Sequence, residues 1–184
     1  MKLPYERRNV LNPLDPTSAP SPAPNQWPHE KIRSVALRYI KESATKESEW
    51  RFTCLDALPE RLGRVVRLEE SERAIVSCFI DGQRWCAMTT SRVFGVLHGS
   101  QFSCSPLDVR QWRWGDFKHG GRSEAEVATL ALANGTHLRI PYETGPAAMG
   151  PIYYERFWTV KYPVLTISSP TPHESQPPPT AAST

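Results

Sequence analysis

Proline restricts what this chain can fold into more than any other residue type. It fixes φ and lacks an N–H, so helix interiors and central strands both reject it. Seven of the eighteen prolines fall within residues 1–28 and five more within 170–184, set among Ser, Thr and Ala. Such stretches cannot bury enough apolar surface to offset the entropy of ordering, so the ends, 1–28 and 166–184, are expected to be disordered tails. The run Pro177–Pro179 favours polyproline II locally. It reads as a solvated tail in preference to a ligand for a proline-reading domain. Regular structure is thereby confined to the middle, from His29 to Ser169. A stretch of that length buries one core without a metal or disulfides.

The formal net charge of +3 is modest, which is far from the balance of a committed nucleic-acid binder, so no nucleic-acid partner is expected. Met1–Leu11 carries Lys2, Arg7 and Arg8 with no apolar run behind them, so neither a secretory signal nor a transit peptide is expected. Nowhere do enough apolar residues run together to span a membrane, and a cytoplasmic address is the expectation. Cys54, Cys78, Cys86 and Cys104 lack paired CxxC spacing, so they read as small buried hydrophobes without metal or cofactor. A three-residue loop at Asp81-Gly82-Gln83 would set Cys78 directly opposite Cys86, whereas a two-residue loop would put them on opposite faces.

Between the tails the pattern changes twice. Ile32, Val35, Ala36, Tyr39 and Ile40 recur at helical spacing behind Pro28, which predicts an amphipathic helix over 29–45. A weaker helical stretch follows at Leu55–Leu62, interrupted by Pro59 and closed by Gly63, so 29–64 reads as an N-terminal helical segment. Strand vocabulary then begins, at 65–68, 74–80, 85–88 and 93–97, with a further strand region at 102–114 broken by Pro106. Asn134-Gly135 predicts a type I′ hairpin joining 129–133 to 136–140, with His137 opposite Leu132. Pro151 and Pro163 bracket a last helix at about 150–162. It carries two stripes. Tyr153, Phe157 and Val160 are expected to enter the core, leaving Tyr154, Trp158 and Tyr162 for a partner or for cover by Val35 and Tyr39 of the first helix.

The expected fold is therefore α+β and mainly β. It is a small antiparallel barrel or sandwich of six or seven strands closed by a C-terminal helix and preceded by an N-terminal helix. Three segments carry a resemblance: Glu72-Arg73-Ala74-Ile75-Val76-Ser77 as an opening strand, Thr89-Thr90-Ser91-Arg92 as a T-x-x-R bend, and Ser105–Val109 as a strand edge. With the order of elements, they make residues 65–165 similar to the pleckstrin-homology-like group, including its bacterial and GRAM-type members. The stretches RWCAMTTSRV and GDFK also resemble uncharacterised bacterial proteins, some of which look like immunity proteins of secreted toxins.

Candidate sites lie in the basic and aromatic run Trp112 to Arg122. Trp112 and Trp114 fall on one side of a strand, as core residues or as a binding edge beside Tyr154, Trp158 and Tyr162. Arg110, Arg113, Lys118 and Arg122 would suit a phosphate or an anionic lipid headgroup. Of five histidines only His119, near Asp116 in a Gly-containing loop, would suit a catalytic base, and no nucleophile or phosphate-cradling motif accompanies it. The expected function is thus a non-catalytic protein-binding module, of immunity-protein type if its partner is a cognate toxin. A lipid- or phosphate-binding module is the alternative, and a hydrolase centred on His119 the second alternative.

Overall fold

The computed structural model describes residues 27–43, 47–118 and 123–163. These form two antiparallel sheets flanked by helices. Helix α1 (His29–Ser43) buries Ile32, Ala36, Leu37 and Ile40, the face that its apolar spacing marks. Strand β1 (Thr53–Leu55) and the short helix α2 (Glu60–Gly63) follow. The first sheet continues through β2 (Ala74–Asp81), β3 (Arg84–Thr89), β4 (Val93–Leu97) and β5 (Ser100–Cys104), which lie in sequence order beside β1. The second holds β6 (Val109–Arg113), β7 (Ala125–Leu132) and β8 (His137–Glu143), again in order. Helix α3 (Met149–Arg156) continues into a wider π-helical turn, Phe157–Lys161.

Eight strands in two sheets replace the six or seven expected, and no barrel closes among the described residues. The difference starts between the two helices. Val65–Leu68 forms no strand and leaves Val65 75% exposed, while Thr53–Leu55, within and beside the stretch expected to be helical, pairs with β2. Pro59 stands immediately before α2 and does not interrupt it. A carboxylate supplies the reason that β1 can lie where it does. Glu143, buried at the end of β8, accepts the backbone N–H groups of Arg51, Phe52 and Thr53 at 2.7, 2.8 and 2.7 Å. Those donors would otherwise be unpaired at a sheet edge, and their satisfaction ties the chain before β1 to the second sheet.

The first hairpin combines the two alternatives left open for it, and the second departs from the expected turn. Asp81 pairs with Arg84 around the two-residue loop Gly82-Gln83, yet Phe79 pairs with Trp85, so Ile80 is an extra, bulged residue. The bulge shifts the register by one and brings Cys78 opposite Cys86. The two remain free thiols. At the second hairpin Ala131 pairs with His137, and the loop holds Ala133, Asn134 and Gly135. Gly135 adopts φ +84°, so this is the three-residue form with a left-handed glycine, and His137 stands opposite Ala131, not Leu132.

The core lies where α1 and α3 pack on β2 and where β8 meets β2, β3 and β4. Residues from 29–64 belong to it: Ile32, Ala36, Leu37, Ile40 and Leu55 share one apolar cluster with Ile75, Val93, Leu130, Tyr142 and Phe157. Of the three α3 residues expected to enter the core, only Phe157 does so fully. Tyr154, Phe157, Trp158 and Tyr162 are buried, whereas Val160 is 56% exposed and Tyr153 is half-buried against Tyr39 of α1. The N–H of Tyr162 bonds the carbonyl of Phe157, five residues back, and this widened turn lets the consecutive Phe157 and Trp158 both face inward.

Candidate functional site

The aromatic residues named as partner-binding candidates prove to be interior. Trp112 and Trp114 stack with ring centroids 5.6 Å apart and planes 18° from parallel, and each is 8% exposed. Tyr154 crosses Trp112 edge-on, and its hydroxyl donates to the Thr89 carbonyl at 2.9 Å. Trp114 is further held by its indole N–H on Glu155 and by the Tyr142 hydroxyl on its carbonyl. Trp112, Trp114, Tyr154, Trp158 and Tyr162 therefore hold the second sheet against α3, and none is available as a surface stripe. Burial of their neighbour Glu155 raises its carboxyl above the ordinary range. His119 and Arg122 lie outside the described residues.

What the aromatic side of β6 gives to the core, its other side gives to solvent. Arg113 pairs with Thr129 and Thr129 with Arg139, which sets two arginines in one cross-strand row on either side of a small residue. The next row holds Gln111, Ala131 and His137. Arg113, Arg139, Gln111 and His137 are exposed, as is Arg110 at the bulge that opens β6. Arg110, Arg113 and Arg139 make no ion pair among the described residues, in contrast to Arg33, Arg51, Arg64, Arg73, Arg84 and Arg92. Arg113 instead donates to the Gln111 side chain at 2.9 and 3.1 Å. The result is a cationic face with no carboxylate in either row. Lys118 is exposed beyond the end of β6.

A second feature gathers at the T-x-x-R bend. The Glu72 side chain is fully buried and accepts five hydrogen bonds: from Arg92 Nε (2.9 Å) and Nη2 (3.0 Å), Thr89 Oγ1 (2.6 Å), Ser91 Oγ (3.0 Å) and the Glu69 N–H (3.0 Å). Burial pushes its carboxyl up, but the Arg92, Thr89, Glu69 and Ser91 donors together prevail and hold it at about 2. Thr90, on the other side of the bend, accepts the Arg73 N–H at 3.0 Å and lies 2.6 Å from His29 Nδ1. This network fastens the start of α1 and the strand entry at Glu72 to the β3–β4 bend. The sequence places Glu72 in an acidic run, Glu69-Glu70-Ser71-Glu72, that reads as a solvated turn.

Beside the bend a crevice of about 210 Å³ is walled by Trp27, Trp158, Tyr162, Ile32, Pro106 and Leu107, with His29, Thr90, Ser91 and Ser105 as its polar edge. The His29–Thr90 contact is the nearest approach to a base and hydroxyl pair there. Thr90 is 2% exposed and also accepts the Arg73 N–H. Among the described residues no three His, Cys, Asp or Glu side chains gather as a metal site. Nor is any described helix long and apolar enough to cross a membrane. Compared with protein-family models, with curated proteins and with solved structures, the chain matches none.

Proposed function

We propose that the chain is a non-catalytic binding module of pleckstrin-homology-like build whose partner is a protein with an acidic surface. The build is supported by order: the β2–β5 meander, the β6–β8 meander and α3 follow one another as the resemblance implies, with β1 added at one edge. The partner reading rests on one observation, the Arg113–Thr129–Arg139 row, whose guanidinium groups make no ion pair among the described residues. Arginines without an internal carboxylate can turn their planar forks to carboxylates of another molecule. The same face favours protein over the alternatives. It lacks an outward aromatic on which a base could stack, because Trp112 and Trp114 turn inward. The exposed large hydrophobic side chains, Val65, Leu107 and Val160, all lie off it, so it offers nothing to insert into a bilayer.

An immunity-like role, capping an acidic toxin, is the specific form of this reading. A toxin gene beside the one encoding this chain would supply the partner to test. Binding of that toxin should weaken as salt rises, and Arg113→Glu with Arg139→Glu should lower affinity by more than about tenfold while leaving the fold intact. Equal binding by the variant would overturn the assignment of the face. Binding to phosphatidylserine vesicles in place of protein, lost in the same variant, would transfer the face to the lipid alternative.

A further inference from the structure

The crevice beside the T-x-x-R bend is a surface the cationic face does not explain. Three of its walls are aromatic: Trp27 and Tyr162 meet edge-on with centroids 5.8 Å apart, and Trp158 lies 4.8 Å from Tyr162. Leu107 stands at its rim, 53% exposed, a large apolar side chain left in water next to an apolar slot. Its polar edge can donate: Ser105 Oγ accepts the Leu107 N–H at 3.2 Å, which leaves its own hydrogen for a ligand or for water. The crevice therefore joins aromatic walls to a hydroxyl-bearing edge.

A proline run has the complementary chemistry. Each proline carries a carbonyl and no N–H, so consecutive prolines present acceptors without donors, and their rings pack on aromatic faces in a preformed extended helix. This chain carries such a run, Pro177-Pro178-Pro179, in the part that follows the described residues. The described residues end at Pro163, next to Tyr162, which is itself a wall of the crevice. Thirteen residues separate Pro163 from Pro177. A random coil of that many residues spans on average about 20 Å, so the length of chain suffices to turn back onto the wall from which it leaves. We propose that the crevice formed by Trp27, Trp158, Tyr162 and Leu107 is a docking site for the chain's own segment Pro177–Pro179.

Tethering raises the local concentration of the segment, so the contact need not be tight to be occupied, and a proline-rich sequence of a partner would have to displace it. The test uses the full chain labelled with nitrogen-15, read through the indole N–H resonances of its tryptophans. Replacing Pro177, Pro178 and Pro179 together by Ser should shift the Trp27 and Trp158 resonances and leave those of Trp85, Trp112 and Trp114 in place. Leu107→Glu, a change at an exposed rim position, should give the same shifts. A synthetic peptide of residues 173–182 added to the triple variant should restore them saturably, and the shifts in the full chain should not depend on its concentration. Unchanged Trp27 and Trp158 resonances in the triple variant would overturn the proposal. So would shifts that follow substitution of Pro20, Pro22 and Pro24 instead, or shifts that vanish on dilution, which would mark the N-terminal segment or a second copy as the occupant.

Discussion

Glu72→Gln tests the polar network at the bend and separates a buried, ion-paired carboxylate from a surface acid. Gln preserves the size of the side chain, so no cavity term enters. It removes the charge that faces Arg92 and turns one acceptor toward Thr89, Ser91 or Arg92 into a donor. Deleting one partner of a buried ion pair typically costs about 3–5 kcal/mol. Arg92 is 31% exposed and regains water in the variant, which places the cost near the lower end, about 3 kcal/mol. Titration gives the same size by another route. The carboxyl is held at about 2 in the fold against an ordinary 4.5, a gap that corresponds to about 3 kcal/mol. Because the folded value is the lower one, the unfolded chain binds more protons between these limits. The contribution is fully present above the unfolded value and is lost as pH falls through the folded one. Urea unfolding followed by tryptophan fluorescence should therefore show wild type more stable than Glu72→Gln by about 3 kcal/mol at neutral pH, with the difference shrinking steadily between about pH 5 and about pH 2. A variant within about 1 kcal/mol of wild type at neutral pH, or a gap constant down to pH 3, would refute the reasoning.

Three further outcomes follow from the packing. Trp158→Ala should destabilise the fold by about 3–5 kcal/mol in thermal or urea unfolding, because the ring is 4% exposed among Tyr154, Phe157 and Tyr162; a loss below about 1 kcal/mol would return it to the surface. Gly95→Ala should prevent stable folding or cost several kcal/mol, since a Cβ there would collide with the Trp85 carbonyl oxygen and come within 2.7 Å of the Phe102 ring, and circular dichroism of the purified variant would read it. Burial pushes the Cys78 thiol up to about 12 and that of Cys86 well above its usual value, so both should resist maleimide in the native protein at pH 8 and react once it is unfolded in urea; rapid native labelling of either would contradict their placement.

Features written in local chemistry were legible in the sequence, and those that depend on a distant partner were not. The apolar spacing of α1, the strand runs at Ala74–Ile80 and Val93–Leu97, and the proline brackets around α3 each reside within a few residues, and each appears close to its expected place. β1 did not, because its three residues are held by β2 on one side and by Glu143, some ninety positions away, on the other. The register of the Asn134-Gly135 hairpin failed for a related reason. Asn-Gly fits both a two-residue turn and a three-residue loop with a left-handed glycine, and the choice between them belongs to the flanking strands: Leu130 and Ile140 must both face the core, which the register pairing Leu130 with Leu138 and Ala128 with Ile140 achieves. Glu72 was hidden by its acidic neighbours, since nothing in Glu69-Glu70-Ser71-Glu72 says which carboxylate turns inward.

The misassigned face of α3 has the most consequence for function. Two apolar stripes about one helix position apart cannot be ranked by hydrophobicity alone, because each holds two or three large side chains. Polar tips do not rank them either: Val160 and Phe157 have none, yet one is outside and the other inside. Tyr154 sits where its hydroxyl ends on the carbonyl of Thr89 at the β3–β4 bend, and Trp158 follows it one turn later. The widened turn after Phe157 then keeps Tyr162 inward against Trp27. Aromatic residues that sequence alone nominates as interface anchors are thus used up in joining α3 to both sheets. Along β6 to β8 the strand alternation turns outward Arg113, Arg139 and His137 instead.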